Sequence, residues 1–293
     1  MFPRLLTLVD GSPFGMRALP YASWLAAAGQ DEVLLLCATR ADEQREDIEW
    51  ELAREVGRLR RRGLAARAFT CRNEGQRTAD MVLAAQQAQE AGLIVLATHG
   101  GRGPERALWG SATDEILRRS PVPVLLVPKR SPPSWPRRRP LRVLLTVDGA
   151  DPAEQALLLV NRLGAVTTIQ LLLTATDPAA RPAPSAGEDI EWVVPAPSVS
   201  PELLRQRLGA IARLTRAAGM ETSVHVGPDG TAARLADVAR DEHCDVIVMA
   251  TSGRQGAMRA LFGGTAREVL CRLPVPLLLT RPAETVSASA RPQ

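Results

Sequence analysis

A loop near residue 100 carries the residue types that a phosphate-binding site needs. Ala97-Thr98-His99-Gly100 is followed by nine residues and then by Gly110-Ser111-Ala112-Thr113, where a helical pattern begins. Glycines at both ends let the backbone approach a ligand closely, and the first amides of a helix offer free donors to an anion. The loop is therefore a candidate polyphosphate site, with the Ser111 hydroxyl as an added donor. Serine beside glycine is also a common helix cap, so the pattern alone leaves both interpretations open.

A second loop with the same spacing lies near residue 255. Ala250-Thr251-Ser252-Gly253 precedes nine residues and then Gly263-Gly264-Thr265, so a glycine stands where the first loop has its serine. Loss of one hydroxyl donor removes about 1 kcal/mol of binding free energy, or somewhat more if the bond is charge-assisted. We expect a second, weaker site that uses Gly253, Gly263, Gly264 and Thr265.

The two loops are parts of a repeat that spans the chain. The segment Leu6–Gly11 is matched by Leu145–Gly149, with an offset of 138 between Asp10 and Asp148. The segment Ser120–Leu126 is matched by Leu273–Leu279 at an offset of 153, so the second copy carries about 15 extra residues. These lie at about 177 to 199, where proline and alanine predict a long loop.

Each copy alternates short β-branched and leucine runs with longer helical patterns, which is typical of parallel βαβ units. In the first copy we expect strands near 4–9, 32–38, 65–71, 93–97 and 123–127. Ser12-Pro13 and Asp151-Pro152 predict helix starts, and Gly29, Gly63 and Gly219 predict helix ends. The predicted fold class is α/β, with two fused doubly wound five-stranded parallel sheets. Such sheets bind ligands at the carboxyl ends of their strands.

The predicted boundaries follow from the repeat. The first domain spans 1–128, a proline- and arginine-rich extended linker spans 129–140, the second domain spans 141–281, and a tail spans 282–293. The two domains are expected to form an intramolecular pair through their fifth strands, with further association into homo-oligomers left open.

Composition excludes several classes of function. Lys129 is the only lysine among 36 basic residues and lies in the linker, which excludes a Walker A loop or a lysine Schiff base. The four cysteines are scattered along the sequence, and we interpret them as core residues. No metal site is therefore predicted. Two arginine clusters have simpler explanations than binding of nucleic acid. The first lies on the polar face of a predicted helix and the second in the linker: Arg58, Arg60, Arg61 and Arg62 in the first, and Arg137, Arg138 and Arg139 in the second. Without an apolar run long enough for a bilayer or a signal peptide, we expect a cytoplasmic protein and no membrane partner.

The motifs together resemble the universal stress protein family. Gly100, Gly110 and Ser111 match the second glycine, the third glycine and the hydroxyl of its GxxG-9x-G(S/T) loop, while Ala97 stands where the family has its first glycine. The resemblance also covers Val9-Asp10-Gly11-Ser12 and the stretch Arg118–Val127.

The resemblance implies a Rossmann-like fold of the adenine nucleotide α-hydrolase-like type in both copies, and a bound adenine nucleotide. In nucleotide-binding members, residues that match Asp10 and the backbone of Ala38 contact the base or ribose, and Asp148 and Ala175 are their counterparts in the second copy. The expected first site is Asp10, Ala38, Ala97, His99, Gly100, Gly110, Ser111, Ala112 and Thr113. His99 is replaced by Ser252 in the second copy, so no shared catalytic role is expected and no catalytic residue is predicted.

Three functions are compatible with these observations. The favoured one is a stress-response regulatory protein that binds ATP or a related adenine nucleotide, with or without Mg²⁺, mainly in the first domain and without efficient catalysis. The main alternative is a nucleotide-independent interaction module of the same fold. An adenylating enzyme is disfavoured because an SGGxDS-type loop is absent and the first strand ends in Asp10-Gly11-Ser12.

Overall fold

A computed structural model of the chain shows a mixed α/β protein. It describes residues 2–9, 12, 15–40, 45–73, 75–98, 111–147, 153–175, 200–225, 232–250 and 275–280. Within these residues there are ten strands and seven α-helices. The predicted long loop at 177–199 and the tail 282–293 lie outside the described residues.

The two halves of the chain repeat the same order of elements. The first half contains β1 (Arg4–Val9), α1 (Leu19–Gly29), β2 (Glu32–Arg40), α2 (Arg45–Arg61), β3 (Ala66–Asn73), α3 (Thr78–Ala88), β4 (Leu93–Thr98), α4 (Ser111–Arg119) and β5 (Val124–Pro128). The second contains β6 (Leu141–Val147), α5 (Ala153–Gly164), β7 (Ile169–Ala175), α6 (Pro201–Ala217), β8 (Glu221–His225), α7 (Ala232–Asp241), β9 (Val246–Ala250) and β10 (Leu277–Thr280). The five strands predicted in the first half are confirmed to within a few residues.

The helix ends follow local chemistry, with one departure from prediction. Gly63 and Gly219 adopt the left-handed conformation (φ 80° and 83°) after α2 and α6, as predicted. After α1, which ends at Gly29 as predicted, that conformation belongs to Gln30 (φ 57°) and not to a glycine. Ser12 does cap the first helical segment, since its Oγ accepts from the Gly15 amide at 3.0 Å. The segment it caps is a 3₁₀ turn, Gly15–Ala18, and α1 begins only at Leu19.

The strands form one ten-stranded sheet in the order β3-β2-β1-β4-β5-β10-β9-β6-β7-β8. Every neighbouring pair is parallel except β5 and β10, which are antiparallel. Each half is thus a five-stranded doubly wound parallel sheet, and the predicted fold class is confirmed. The predicted pairing of fifth strands is confirmed as well.

The register across this junction reveals a pseudo-twofold axis. Leu125 pairs with Leu278, Val124 with Leu279, and Leu126 with Leu277. Leu125 and Leu278 are equivalent in the internal repeat, which is offset by 153 in this region. A residue that faces its own counterpart must lie on the axis relating the two copies. The junction also covers the edge of each fifth strand, which would otherwise present unpaired backbone groups.

Hydrophobic cores lie on both faces of the sheet and run across the junction. Leu125 and Leu278 belong to the core covered by α1, α2, α5 and α6, whereas Leu126 and Leu277 belong to the core covered by α3, α4 and α7. Side chains alternate between the two faces along each strand, so one pair of strands contributes to both cores. The two halves are therefore joined by backbone hydrogen bonds and by apolar packing on both sides.

The proline-rich segment 129–140 is more closely packed than its polar composition suggests. Trp135 is only 4% exposed, and its ring meets those of Tyr21 and Trp24 edge-to-face at centroid distances of 5.2 and 5.3 Å. Aromatic rings favour this geometry, and a buried indole of this size adds substantial apolar area. One tryptophan among prolines and arginines thus converts a stretch of linker into part of the core.

Residues 131–139, here called the clasp, bond to both halves. On the first half, Arg17 Nη2 donates to the Ser131 carbonyl at 2.6 Å and Trp24 Nε1 to the Pro136 carbonyl at 3.0 Å. On the second half, Asp245 accepts from Trp135 Nε1 through its carbonyl at 3.0 Å and from both Arg139 Nη atoms through its carboxylate at 2.7 Å. The clasp therefore ties the start of α1 to the start of β9.

The start of the chain makes the reciprocal contact. Arg162 of α5 places its guanidinium 5.3 Å from the centre of the buried Phe2 ring. Under the offset of 138, Arg162 is the counterpart of Trp24. In each half, the segment before the first strand docks on the first helix of the other half.

The cysteines behave as predicted where the structure describes them. Cys37 and Cys244 are buried and Cys71 is half-buried, and no disulfide links these three described cysteines. Burial raises the pKa of the Cys244 thiol to about 12, so thiolate chemistry there is suppressed at neutral pH. No group of histidines, cysteines and carboxylates within the described residues is arranged to hold a metal ion. In the same part of the chain, no helix is both long enough and apolar enough to span a bilayer.

The buried position of Trp135 predicts a large loss of stability on truncation. Trp135→Ala should lower the free energy of unfolding by about 3 to 5 kcal/mol, because it leaves a cavity between the halves. Trp50 is a matched control, since it is 64% exposed on α2. Trp50→Ala should cost less than about 1 kcal/mol. Urea unfolding of both variants measures the difference, and equal losses would contradict the packing of the clasp.

The buried phenol of Tyr21 predicts a pH dependence above pH 10. Burial raises the pKa of Tyr21 to about 12, and the neutral hydroxyl donates to the Pro132 carbonyl. Because the folded pKa exceeds the unfolded value, this stabilisation is complete below pH 10 and is lost as the pH rises towards 12. Tyr21 is the only tyrosine, so tyrosinate absorbance reports on it alone. Native protein should titrate well above urea-unfolded protein, and coincident curves would contradict the burial.

Candidate functional site

The strand order creates a crevice at the carboxyl end of the first half-sheet. β1 lies between β2 and β4 in the sheet. The chain therefore passes from β1 to β2 on one side and later returns to β4 on the other side of β1. Loops that leave two such strands diverge to opposite faces, and doubly wound sheets bind ligands in the gap between them. Thr7 pairs with Val95, which brings the carboxyl ends of β1 and β4 side by side. The second half has the same arrangement at β6 and β9.

Two predicted residues lie at this edge on strands. Ala38 is half-buried near the end of β2, one residue beyond Cys37, which pairs with Val9 at the end of β1. Asp10 follows Val9 in the chain and lies outside the described residues. Ala97 is half-buried in β4 and pairs with Val127 of β5. The strands thus bring Ala38 and Ala97 to the same edge of the sheet.

Helix α4 brings the far end of the loop to the same edge. It begins at Ser111 and runs for nine residues, with Ala112 and Thr113 half-buried in its first turn. The first amides of a helix have no partner within the helix, and the helix dipole adds partial positive charge there. Ile116 and Leu117 anchor the helix in the core beside β4 and β5. Its amino terminus therefore lies above the carboxyl ends of these strands.

The remaining predicted residues lie outside the described residues. In the first site these are Asp10, His99, Gly100 and Gly110, together with the Ser111 side chain. In the second site they are Asp148, Gly253, Gly263, Gly264 and Thr265. Ala175 is described, and it lies half-buried at the end of β7, as the repeat predicts for the counterpart of Ala38. The contacts among the loop residues thus stay predictions.

A cavity of about 210 Å³ lies beside the ends of β1 and β2, and sequence reasoning missed it. Its apolar wall is formed by Val9, Met16, Cys37, Ile48 and Leu52, and its polar wall by Glu51, Arg54, Glu55 and Arg58 of α2. The signal in the sequence was Glu55, which occupies a core-facing position between Leu52 and Leu59 of α2. A carboxylate at a core-facing helix position indicates that a charged side chain is buried in the fold.

Glu55 is held by two arginines of its own helix. Its side chain is 7% exposed, with Arg58 Nη1 at 3.2 Å and Arg54 Nη2 at 3.8 Å from a carboxylate oxygen. Both arginine side chains are about half exposed, and Arg58 belongs to the cluster predicted to lie on a polar helix face. A buried carboxylate needs such partners because loss of hydration is costly. The cavity therefore has a charge-neutralised wall on α2 and an apolar floor.

These features define a class of protein: a doubly wound α/β protein, duplicated within one chain, with a candidate ligand site at a topological switch point. The family model described as the universal stress protein family matches residues 1–128 and again 141–281. The chain belongs to the universal stress protein family.

Solved structures with the same fold support this at the level of the whole chain. A universal stress protein from Archaeoglobus fulgidus DSM 4304 is 18% identical, with a TM-score of 0.72 over 96% of this chain and 99% of that one. A proposed universal stress protein from Pseudomonas aeruginosa UCBPP-PA14 is 21% identical, with a TM-score of 0.65 over 96% of this chain and 94% of that one. No curated protein matches the sequence. At these identities the likeness concerns the fold.

The cavity wall predicts a coupling between Arg58 and Glu55. Arg58→Ala removes the nearer partner of a buried carboxylate, and it should lower the free energy of unfolding by about 1 to 3 kcal/mol. In a Glu55→Gln background the same change should cost much less, because no charge is then left unpaired. A double-mutant cycle from urea unfolding measures the coupling. Equal costs in the two backgrounds would show that the pair is not coupled.

Proposed function

We propose that this protein binds ATP or a related adenine nucleotide, mainly in its first half, as a regulatory member of the stress response without efficient catalysis. The observation that carries the proposal is the start of α4 at Ser111. This is the position that the loop pattern assigns to the phosphate-binding hydroxyl. It lies at the carboxyl edge of the sheet, beside the switch point between β1 and β4.

The phosphate end of the ligand fits the donors at this edge. The amides of Ser111, Ala112 and Thr113 are the first of α4 and lack intrahelical partners, as anion-binding sites require. Gly100 and Gly110 frame the loop in sequence and would allow its backbone to wrap closely around phosphate. The first amides of α4 and the loop glycines thus both favour the binding of an anion at the start of α4.

The base and ribose fit the other side of the crevice. Val9 pairs with Cys37, and the next residues along the two chains are Asp10 and Ala38. A carboxylate such as Asp10 suits ribose hydroxyls, and a strand end offers free backbone groups to the edge of a base. The nearby cavity at Val9 and Cys37 supplies apolar surface next to this position.

A divalent cation fits the charge balance of the site. Asp114 lies in the first turn of α4, where its carboxylate would repel an uncompensated phosphate. Carboxylate together with phosphate oxygens is the donor set that Mg²⁺ prefers. Asp114 and the ligand would hold the ion, which would supply charge neutralisation.

We propose binding without efficient catalysis because the loop pattern supplies hydrogen-bond donors but no positioned general base. Efficient phosphoryl transfer needs a group that orients the nucleophile and a clamp for transition-state charge. His99 is the only loop histidine, and the second copy replaces it with Ser252. Gly264 in place of the Ser111 hydroxyl makes the second site the weaker one.

Isothermal titration calorimetry with ATP tests the proposal on the full chain. We expect one site, or one strong and one weak site. Two sites of equal affinity would contradict the preference for the first half. The absence of binding would contradict the function itself and favour a nucleotide-independent interaction module.

The Ser111 hydroxyl provides the sharpest single-residue prediction. Ser111→Ala keeps the backbone amides and removes one donor, so ATP affinity should fall by about 1 to 2 kcal/mol, roughly fivefold to thirtyfold. Gly264→Ser should strengthen the second site. Calorimetric dissociation constants for both variants check the prediction, and unchanged values in both would contradict phosphate binding by these loops.

A control separates ligand contact from helix capping. A serine at a helix start stabilises the helix by about 1 kcal/mol, so its loss could weaken binding through instability. Thermal melting without nucleotide measures this directly. A drop in affinity with an unchanged melting temperature assigns the effect to the ligand.

A further inference from the structure

The cavity beside the ends of β1 and β2 is built from other elements than the predicted phosphate site. Val9 and Cys37 of its wall belong to the core covered by α1 and α2, whereas Ile116 of α4 belongs to the core on the opposite face of the sheet. The wall residues named above all lie in the described part of the chain. The proposed binding of nucleotide leaves the polar side of this cavity unexplained.

The apolar side of the cavity suits a ligand body the size of one aromatic ring. The cavity measures about 210 Å³, and this side is formed by Val9, Met16, Cys37, Ile48 and Leu52. For comparison, an apolar cavity of about 150 Å³ holds one benzene molecule. Val9, Cys37 and Leu52 are buried, so a ring that packs against them is removed from water. The space thus accepts a ring with a small substituent.

Glu55 offers a hydrogen-bond acceptor to such a ligand. Its carboxylate is buried, and Arg58 Nη1 lies 3.2 Å from both carboxylate oxygens. Arg54 Nη2 is 3.8 Å away, which is beyond hydrogen-bonding distance. A carboxylate accepts about four hydrogen bonds. These contacts within the described part of the chain leave acceptor capacity for a donor placed in the cavity.

The second half of the chain shows that the fold does not require this carboxylate. Gly63 and Gly219 follow α2 and α6 in the same left-handed conformation, so the two helices correspond at an offset of 156. The counterpart of Glu55 is therefore Ile211, which packs against the apolar core. A branched apolar side chain fills the equivalent position without any charge.

The polar wall as a whole is specific to the first half. At the same offset, the counterparts of Arg54 and Arg58 are Ala210 and Leu214. Apolar residues in place of a buried ion pair are often neutral or stabilising, so stability does not explain why Glu55 is present. Departures from an apolar core are expected at functional sites. The polar wall therefore indicates a ligand.

We propose that this cavity binds a small uncharged hydroxyl compound, with an apolar body about the size of one aromatic ring and a hydroxyl that donates to Glu55. This is a second ligand, so the inference goes beyond the binding of nucleotide. The wall carries two carboxylates and two guanidinium groups, and its charge is balanced. A charged ligand would leave an excess charge beside apolar surface, which is costly, whereas a hydroxyl leaves none.

Ligand-observed NMR on the full chain without nucleotide tests the inference with four probes of similar shape. p-Cresol is uncharged and carries a hydroxyl, toluene lacks the donor, benzylamine is a cation and benzoate is an anion. Wild type should bind p-cresol roughly tenfold more tightly than toluene, as expected for a hydrogen bond to a charged acceptor. It should also bind p-cresol more tightly than either charged probe. p-Cresol should shift the methyl resonance of Met16, which locates the ligand in the cavity.

Glu55→Ile gives α2 the residue found in α6 and removes the acceptor. The variant should lose the preference for p-cresol over toluene but should still bind toluene, which shows that the cavity is intact. Glu115→Gln is the matched control, because Glu115 is also largely buried and paired with arginines but lies on α4. It should keep the full preference, and thermal melting without ligand verifies that both variants are folded.

Several outcomes would overturn the inference. These are equal affinities of wild type for p-cresol and toluene, tighter binding of a charged probe, no binding of any probe, and a Glu55→Ile variant that still prefers p-cresol. Displacement of p-cresol by saturating ATP would also overturn it, because the cavity would then be part of the nucleotide site. The probe series and the Met16 resonance need only wild type without nucleotide, so they decide the inference even where a variant does not fold or ATP does not bind.

Discussion

The antiparallel pairing of β5 with β10 is the interaction on which the rest of the structure depends. It joins two parallel half-sheets into one, with Leu125 and Leu278 on the pseudo-twofold axis. Without it each half would expose the edge of a strand whose faces are apolar, which favours aggregation. With it, the same few residues extend the hydrophobic core on both faces of the sheet. Fusion of the two copies in one chain makes this association independent of protein concentration.

The antiparallel junction also determines where ligands can bind. Parallel strands carry their site at the carboxyl edge, so reversing one half puts the two candidate sites at opposite edges of the sheet. The two sites cannot share one ligand, and each can diverge separately. The two copies have diverged at Ser111 and Gly264, where the first copy has a side-chain hydroxyl and the second does not.

The clasp connects this architecture to the first site. It follows the turn at the end of β5, bonds to the 3₁₀ turn Gly15–Ala18, and ends on Asp245 of the second half. Phe2 and Arg162 make the reciprocal contact, so each half holds the first helix of the other. The clasp and this reciprocal contact therefore connect the two halves through residues that lie far apart in the chain.

The sequence by itself determined the repeat, the strand and helix order, the doubly wound class and the positions of the loop motif. These follow from local periodicity and from glycine and serine signals, as at Gly63, Gly219 and Ser111, where neighbouring residues alone dictate the backbone. It placed the end of α1 at Gly29 correctly but assigned the left-handed conformation there to glycine, whereas Gln30 adopts it. Only the tertiary structure decided the packing of Trp135 and the cavity around Glu55. Each depends on residues far apart in the chain, such as Val9 with Cys37 or Trp135 with Asp245, whose proximity is set by strand register and not by local sequence.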